Sequence, residues 1–272
     1  MDELRKKYKL IIYTALIGPY DELIEVNQKF LPNETLLICF TNNKKVSSKS
    51  WKIEQVECPN NDFAYMNRKI KILFMDFLPN HDYNIYIDAN IRIKNSIKSL
   101  IQALVDSKFD LVIPKHYSRD CIYEEANPIN LLGKEKEMTV LDQIRRYETE
   151  GFPKKFGLSE NNIIFRKNSQ IKLEELMRCW WNEYAKGAKR DQLSLMYCIW
   201  KINYTKYKLG MLSSRRNRFF GLELHKAEKK AHLIKGGFST MKKMHDNYQP
   251  LPNIFSLVLV HYKNILDKVF DS

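Results

Sequence analysis

The chain reads as an α/β protein: a sheet with helices on both of its faces. Short apolar runs bounded by turn residues alternate with amphipathic segments, which is the pattern that buries a sheet between helix layers. The 272 residues are 44% hydrophobic and 12% aromatic, enough for a large core and too apolar for a disordered chain. Gly and Pro number only 9 each, which argues against a loop-rich or collagen-like chain.

Residues 10–16 are an apolar run stopped by Gly18-Pro19, hence a buried strand and a turn. Residues 35–41 repeat the pattern through Leu36, Leu37, Ile38 and Phe40, and residues 51–56 make a third strand. Over 63–78, Ile70, Leu73, Phe74 and Phe77 recur at helical spacing with Asp62 placed as the cap. Residues 84–87 form a strand running into Asp88-Ala89-Asn90. A helix over 96–106 and a strand over 111–113, stopped by Pro114, follow. Further on, 141–147, 173–184 and 193–202 read as helices, 162–165 as a strand, and 219–224 as a last short strand. Near the end Phe255, Val258, Leu259, Tyr262, Ile265, Leu266 and Val269 step by three or four. That stripe suits a helix packed on its own domain, a dimer face, or a helix lying on a membrane surface.

Charge divides the chain. The formal net charge is +13, yet residues 1–150 carry 22 basic and 22 acidic side chains, whereas residues 201–272 carry 14 and 5. The weakest join, near 205–220, coincides with that shift, so the expected organisation is a domain over 1–210 and a basic region over 211–272. A basic tail suits an anionic partner, which leaves a nucleic-acid-binding module as one alternative class. The five cysteines, Cys39, Cys58, Cys121, Cys179 and Cys198, form no C-x-x-C pair and are odd in number, which points to reduced thiols in the cytoplasm. Arg5-Lys6-Lys7 before Leu10-Ile11-Ile12 imitates a secretion signal, but the run ends at Gly18-Pro19 without a small-residue cleavage site. No run approaches the roughly 18 apolar residues that span a bilayer.

Four constellations carry chemistry. Asp88 and Asn90 follow a buried strand at i and i+2, where two oxygen ligands hold a hard divalent cation against a diphosphate; the same pair also suits a turn. Arg190-Asp191-Gln192 opens a helix, with Asp191 either capping it or held beside a reacting carbon. His116, Arg119, Glu124 and Glu125 lie on a loop after a strand and suit an anionic or hydroxyl-rich ligand. Arg68 and Lys71 share one helix face at i and i+3, where they neutralise a diphosphate or simply face water. Trp180 and Trp181 diverge by about 100° on a helix, so at most one stacks on a sugar while the other is core. The phosphate-loop, dinucleotide, zinc-protease and nucleophile-elbow motifs are all missing from the sequence.

Taken in order, the segments Ile12-Tyr13-Thr14-Ala15-Leu16-Ile17-Gly18-Pro19-Tyr20-Asp21, Cys39-Phe40-Thr41-Asn42, Arg68…Lys71, Tyr86-Ile87-Asp88-Ala89-Asn90, His116…Glu125, Gln143…Tyr147…Gly151-Phe152-Pro153, Trp180-Trp181 and Arg190-Asp191-Gln192-Leu193-Ser194 resemble a glycosyltransferase family. That family occurs in bacterial polysaccharide loci and in plant Golgi proteins of mucilage synthesis, and was long catalogued as a domain of unknown function. The resemblance covers about residues 8–202.

It implies a GT-A-like single domain with a mixed, mostly parallel sheet flanked by helices, to which the charge shift and the apolar stripe add a basic helical C-terminal extension. It implies a hexosyltransferase using a UDP-linked nucleotide-sugar donor, with a glycan or lipid-linked acceptor in capsule or other surface polysaccharide synthesis. By the resemblance, Thr14, Ala15, Tyr20, Thr41 and Asn42 line the nucleoside, and Arg68, Lys71 and Asp88 approach the diphosphate. Asp88 and Asn90 occupy the metal motif, with His225 as third ligand to Mn²⁺ or Mg²⁺, while His232 and His245 are also available. Arg190, Asp191 and Gln192 fall at the catalytic position; His116, Arg119, Glu124, Glu125 and Trp181 are left for acceptor or sugar. Asn in place of the second Asp keeps open a catalytically degenerate scaffold. The basic tail then suggests a cytoplasmic enzyme, peripheral on an anionic inner membrane face and able to form a homodimer, with no specific nucleic acid.

Overall fold

The computed structural model describes residues 8–19, 21–125, 137–168, 170–210, 212 and 217–225. They fall into two units: Asp21, Glu22, Leu224 and His225 belong to the second, and the remaining described residues to the first. The first unit is an α/β sandwich. Its strands are β1 (Tyr8–Leu16), β2 (Thr35–Thr41), β3 (Lys52–Gln55), β4 (His81–Ile87), β5 (Ile91–Ile93), β6 (Leu111–Ile113), β7 (Ile163–Lys167), β8 (Tyr207–Leu209) and β9 (Phe220–Leu222). Seven form one sheet in the order β3-β2-β1-β4-β7-β6-β8, and β5 pairs with β9 beside it. β3, β2, β1 and β4 run parallel, β7 is antiparallel to both β4 and β6, and β8 is parallel to β6. This is the mixed, mostly parallel sheet the resemblance implies.

Helices cover both faces, and period-two alternation sorts the strand residues between them. Ile11, Tyr13 and Ala15 of β1 turn to one face, Leu10 and Ile12 to the other, and all five are 2% exposed or less. On the first face lie α1 (Phe63–Ile72), α3 (Glu137–Thr149), α4 (Ile171–Lys186) and α5 (Leu195–Lys201). From α4 this face buries Leu173, Leu176, Met177, Trp180 and Tyr184. Each such aliphatic or aromatic side chain contributes roughly 1.5–3 kcal/mol of transfer free energy. On the second face α2 (Lys98–Asp106) buries Ile101 and Leu104 with Val26, Leu31 and Trp51.

Several expected elements shift. Asp62 does cap α1, its Oδ1 accepting from the Tyr65 amide at 3.0 Å, but the helix stops at Ile72, not at 78. The Lys71 carbonyl, which in a longer helix would accept from Met75, takes the Tyr13 hydroxyl at 3.0 Å and an Arg166 nitrogen at 2.9 Å instead. A separate 3-10 turn, Phe74–Asp76, follows. The helix expected over 193–202 is a 3-10 turn, Asp191–Leu193, and then α5. The helix expected from 96 begins at Lys98. β5 and β8 are three-residue strands absent from the sequence reading. The apolar stripe over 255–269 lies outside the described residues. Among the described residues no helix is long and apolar enough to cross a membrane.

One exposed carboxylate pins the chain between β1 and β2. Glu25 accepts from the Ser48 hydroxyl at 2.8 Å and from the Lys49 and Ser50 amides at 3.0 Å each. These donors, the Ser50 hydroxyl foremost, lower its pKa from 4.5 to about 2. The anchor is therefore complete above the unfolded value and is lost as pH falls through the folded one. Amide exchange at Lys49 and Ser50 should be slow near pH 5 and accelerate beyond its intrinsic pH trend near pH 2; protection indifferent to that fall would remove Glu25 as the anchor.

Candidate active site

The topology gathers the candidate residues at one end of the sheet. β1, β2 and β4 are parallel and end together, and two antiparallel steps bring the end of β6 to the same side. β1 has β2 on one side and β4 on the other, so the strand order reverses there, and ligands of open α/β sheets bind at such a reversal. Thr14 and Ala15 of β1, Thr41 and Asn42 of β2, Asp88 and Asn90 after β4, and His116 after β6 all lie at this end.

Four charges meet there. Lys71, 2% exposed, places Nζ 2.8 Å from Asp191 Oδ2 and 3.6 Å from Asp88 Oδ1. Arg68, one turn earlier on α1, places Nε 3.4 Å from Asp191 Oδ1. The Tyr86 hydroxyl donates to Asp88 Oδ1 at 2.8 Å, and Lys71 Nζ stands 5.0 Å from the Tyr86 ring centre. Asp191, 5% exposed, comes from the 3-10 turn before α5, where the indole N–H of Trp180 donates to its carbonyl at 3.0 Å. Its side chain faces these cations and does not cap the helix. Burial alone would raise the Asp191 pKa, yet Lys71 and then Arg68 outweigh it and hold the carboxyl well below its ordinary range. Burial pushes the Tyr86 hydroxyl well up, with the Asp88 charge adding to it. Asp191 is thus a permanent anion and, at so low a pKa, a weak base.

Lys71 is held from behind by a group the sequence reading overlooked. Arg166 of β7 is fully buried and donates to the Tyr13 hydroxyl at 2.9 Å, to Asn84 Oδ1 at 3.4 Å and to the Lys71 carbonyl at 2.9 Å. Its guanidinium lies 5.0 Å from the Phe74 ring centre. Burial lowers its pKa. The C-terminal end of α1, a partial negative pole, faces this cation. The signal was slight: Arg166 directly follows the apolar run Ile163-Ile164-Phe165 and shares a strand face with Ile164, but Lys167 and Asn168 after it read equally as a strand end in water.

The loop after β1 is fixed by amides. Asn42 Oδ1 accepts from the Gly18 N–H at 2.9 Å, and Asn67 Nδ2 donates to the Ala15 carbonyl at 2.8 Å. Arg68 in turn donates to Asn67 Oδ1 at 2.6 Å. Thr14 and Thr41 are buried; Thr41 Oγ1 accepts from the Asn43 amide at 3.2 Å. Tyr20 lies outside the described residues. Gly18 has φ +77°, and a Cβ there would stand 2.8 Å from the Phe63 ring. Gly18→Ala is expected to cost about 1–3 kcal/mol by backbone strain and contact, read as a lower urea midpoint at unchanged m-value; an unchanged midpoint would show that the loop relaxes freely.

The second cluster forms in part. Arg119 Nε donates to Glu125 Oε2, and His116 Nε2 is 3.9 Å from the same oxygen. His116 Nδ1 accepts from the Arg119 amide at 3.1 Å, and its ring stacks on the exposed Tyr117. Glu124 is exposed and outside this group. The His116 amide donates to the Leu158 carbonyl at 2.8 Å, and Gln192 Nε2 donates to the Ser159 carbonyl at 3.4 Å, so the two clusters meet at 158–159. Arg190 donates weakly to Gln192 Oε1 at 3.5 Å. Trp180 is core, while Trp181 is half-buried between Tyr65 and Tyr184.

The ligand set fits a divalent cation poorly. Asn90 donates its amide N–H to the Glu223 carbonyl at 3.0 Å, and Asp88 Oδ1 is already taken by Tyr86 and faces Lys71. A doubly charged ion on that carboxylate would stand beside the Lys71 ammonium, which already supplies positive charge to Asp88 and Asp191. His225 Nδ1 is 2.8 Å from Asp21 Oδ2, both in the second unit. Among the described residues no three His, Cys, Asp or Glu side chains gather as a metal site. His232 and His245 lie outside them.

A sheet of this order, covered on both faces and ending in a cluster of paired carboxylates and cations, defines a GT-A-like domain. Residues 23–225 match the family described as TOD1/MUCI70, glycosyltransferase-like domain, and the chain belongs to that family. The match runs past residue 202, where the resemblance in the sequence stopped, as far as β9. No curated protein matches the chain significantly.

Proposed function

We propose that this chain is a hexosyltransferase that moves a sugar from a UDP-linked nucleotide-sugar donor to a glycan or lipid-linked acceptor in surface-polysaccharide synthesis. The observation that carries the reading is the Arg68–Lys71–Asp191–Asp88 cluster at the carboxyl end of the sheet, within a glycosyltransferase-like domain. In the reaction the bond from the anomeric carbon to the diphosphate breaks, an acceptor oxygen bonds to that carbon, and the acceptor's proton passes to an oxygen of the departing diphosphate. Negative charge builds on the departing diphosphate, and Arg68 and Lys71 are placed to stabilise it. Asp191 orients both cations and, as a fixed anion, stabilises the positive charge that develops at the sugar carbon. His116, Arg119, Glu125 and Trp181 are assigned to the acceptor side, and the basic residues of 211–272 to an anionic membrane face or acceptor.

The test is thermal stabilisation by UDP, GDP, CMP and their sugars. One nucleotide should raise the Tm, as any ligand specific to the folded state does. Arg68→Ala should weaken that nucleotide about tenfold or more by removing a cation from the place of the diphosphate. No shift with any nucleotide would sink the proposal.

A further inference from the structure

We propose that the Lys71 ammonium stands where a divalent cation would, so that donor binding needs no metal. The inference rests on the glycosyltransferase reading above. Lys71 Nζ bridges a carboxylate just after β4 and one from the turn before α5, at 3.6 and 2.8 Å, which is the place of a cation shared by two acidic ligands. The ammonium is fixed. Its stem is buried, Tyr86 lies beneath it, and its own backbone carbonyl is held by Arg166 and Tyr13. The Asp88 oxygen of the metal motif already accepts from Tyr86 and faces Lys71, and Asn90, tethered through its N–H to the Glu223 carbonyl, offers a neutral oxygen where a second carboxylate would be needed to balance a doubly charged ion. A positive charge already positioned needs no reorganisation when the diphosphate arrives, and Arg68 on the same helix face adds a planar donor group. Lysine supplies one charge without open coordination positions, so it neutralises a phosphate oxygen without chelating two.

The experiment uses the full chain and measures binding of UDP, GDP and CMP by calorimetry, once in excess EDTA and once in excess Mn²⁺. For the nucleotide that binds, the two Kd values should agree within about threefold. Lys71→Met should weaken it by roughly 30-fold or more in EDTA, a typical loss for a buried charge-assisted contact. Mn²⁺ should restore part of that loss, because the vacated place lies between two carboxylates. Lys71→Arg, retaining the charge, should bind in EDTA more tightly than Lys71→Met. Binding by the unaltered chain only in Mn²⁺ would overturn this inference and leave the glycosyltransferase reading intact. Binding of no nucleotide in either condition would overturn both. A folded Lys71→Met that binds in EDTA like the unaltered chain would also overturn it.

Discussion

Replacing Asp191 by asparagine is expected to lower the transfer rate by about 100- to 1000-fold, in the range of removing one preorganised electrostatic group. The shape of Asn is nearly that of Asp, so what disappears is the charge between Lys71 and Arg68. Two cations without their anion still attract a diphosphate, so the Kd of the nucleotide should change little or tighten. Loss in kcat with an unraised donor KM is the expected signature. A raised KM with intact kcat would make Asp191 a binding residue only. The same variant should lose about 3 kcal/mol of stability at neutral pH, because it leaves a buried lysine without its nearest partner. The sign with pH follows from the depressed pKa of Asp191. Its contribution is full above the unfolded value near 4 and is lost as pH falls below it toward the folded value. The gap between the unaltered chain and Asp191→Asn in urea should therefore narrow between pH 5 and pH 2.

Arg166→Ala is expected to cost about 3–5 kcal/mol, among the largest effects of a single substitution. It opens a cavity beside Phe74 and leaves the Asn84 amide oxygen and half of the Lys71 carbonyl's bonding unmet. Arg166→Met keeps most of the volume and should cost only about 2 kcal/mol, the part due to polar groups left unpaired. Both variants should also weaken nucleotide binding, since the end of α1 loses its anchor. Denaturant midpoints at constant m-value are the measure. A midpoint unmoved in Arg166→Ala would mean that the guanidinium is replaced by solvent at no cost.

The long apolar runs were legible because burial on two faces leaves no polar alternation. β1, β2 and β7 follow directly from that pattern. β5 and β8 were not legible. Three residues with one exposed member, such as Arg92 between Ile91 and Ile93, carry too little periodicity to stand out, and their strand character comes from the partner. The end of α1 was hidden for a different reason. The apolar spacing continues through Phe74 and Phe77, while a distant arginine and tyrosine claim the Lys71 carbonyl that a longer helix would use. The pairing of Lys71 with both Asp88 and Asp191 was likewise a tertiary fact, spread over 120 residues. Each residue was singled out by its own motif, but nothing in those motifs says which carboxylate meets which cation.

β7 has a consequence for the order in which the molecule is made. It alone hydrogen-bonds β4 on one side and β6 on the other, so it closes the sheet. On a ribosome adding about 5–20 residues per second, it emerges roughly 4–15 s after β4. Throughout that interval β4 has an open edge, and the end of α1 has neither Arg166 nor Asp191. The nascent chain is thus most exposed to wrong strand pairing just before Lys71, Asp88 and Asp191 can find one another.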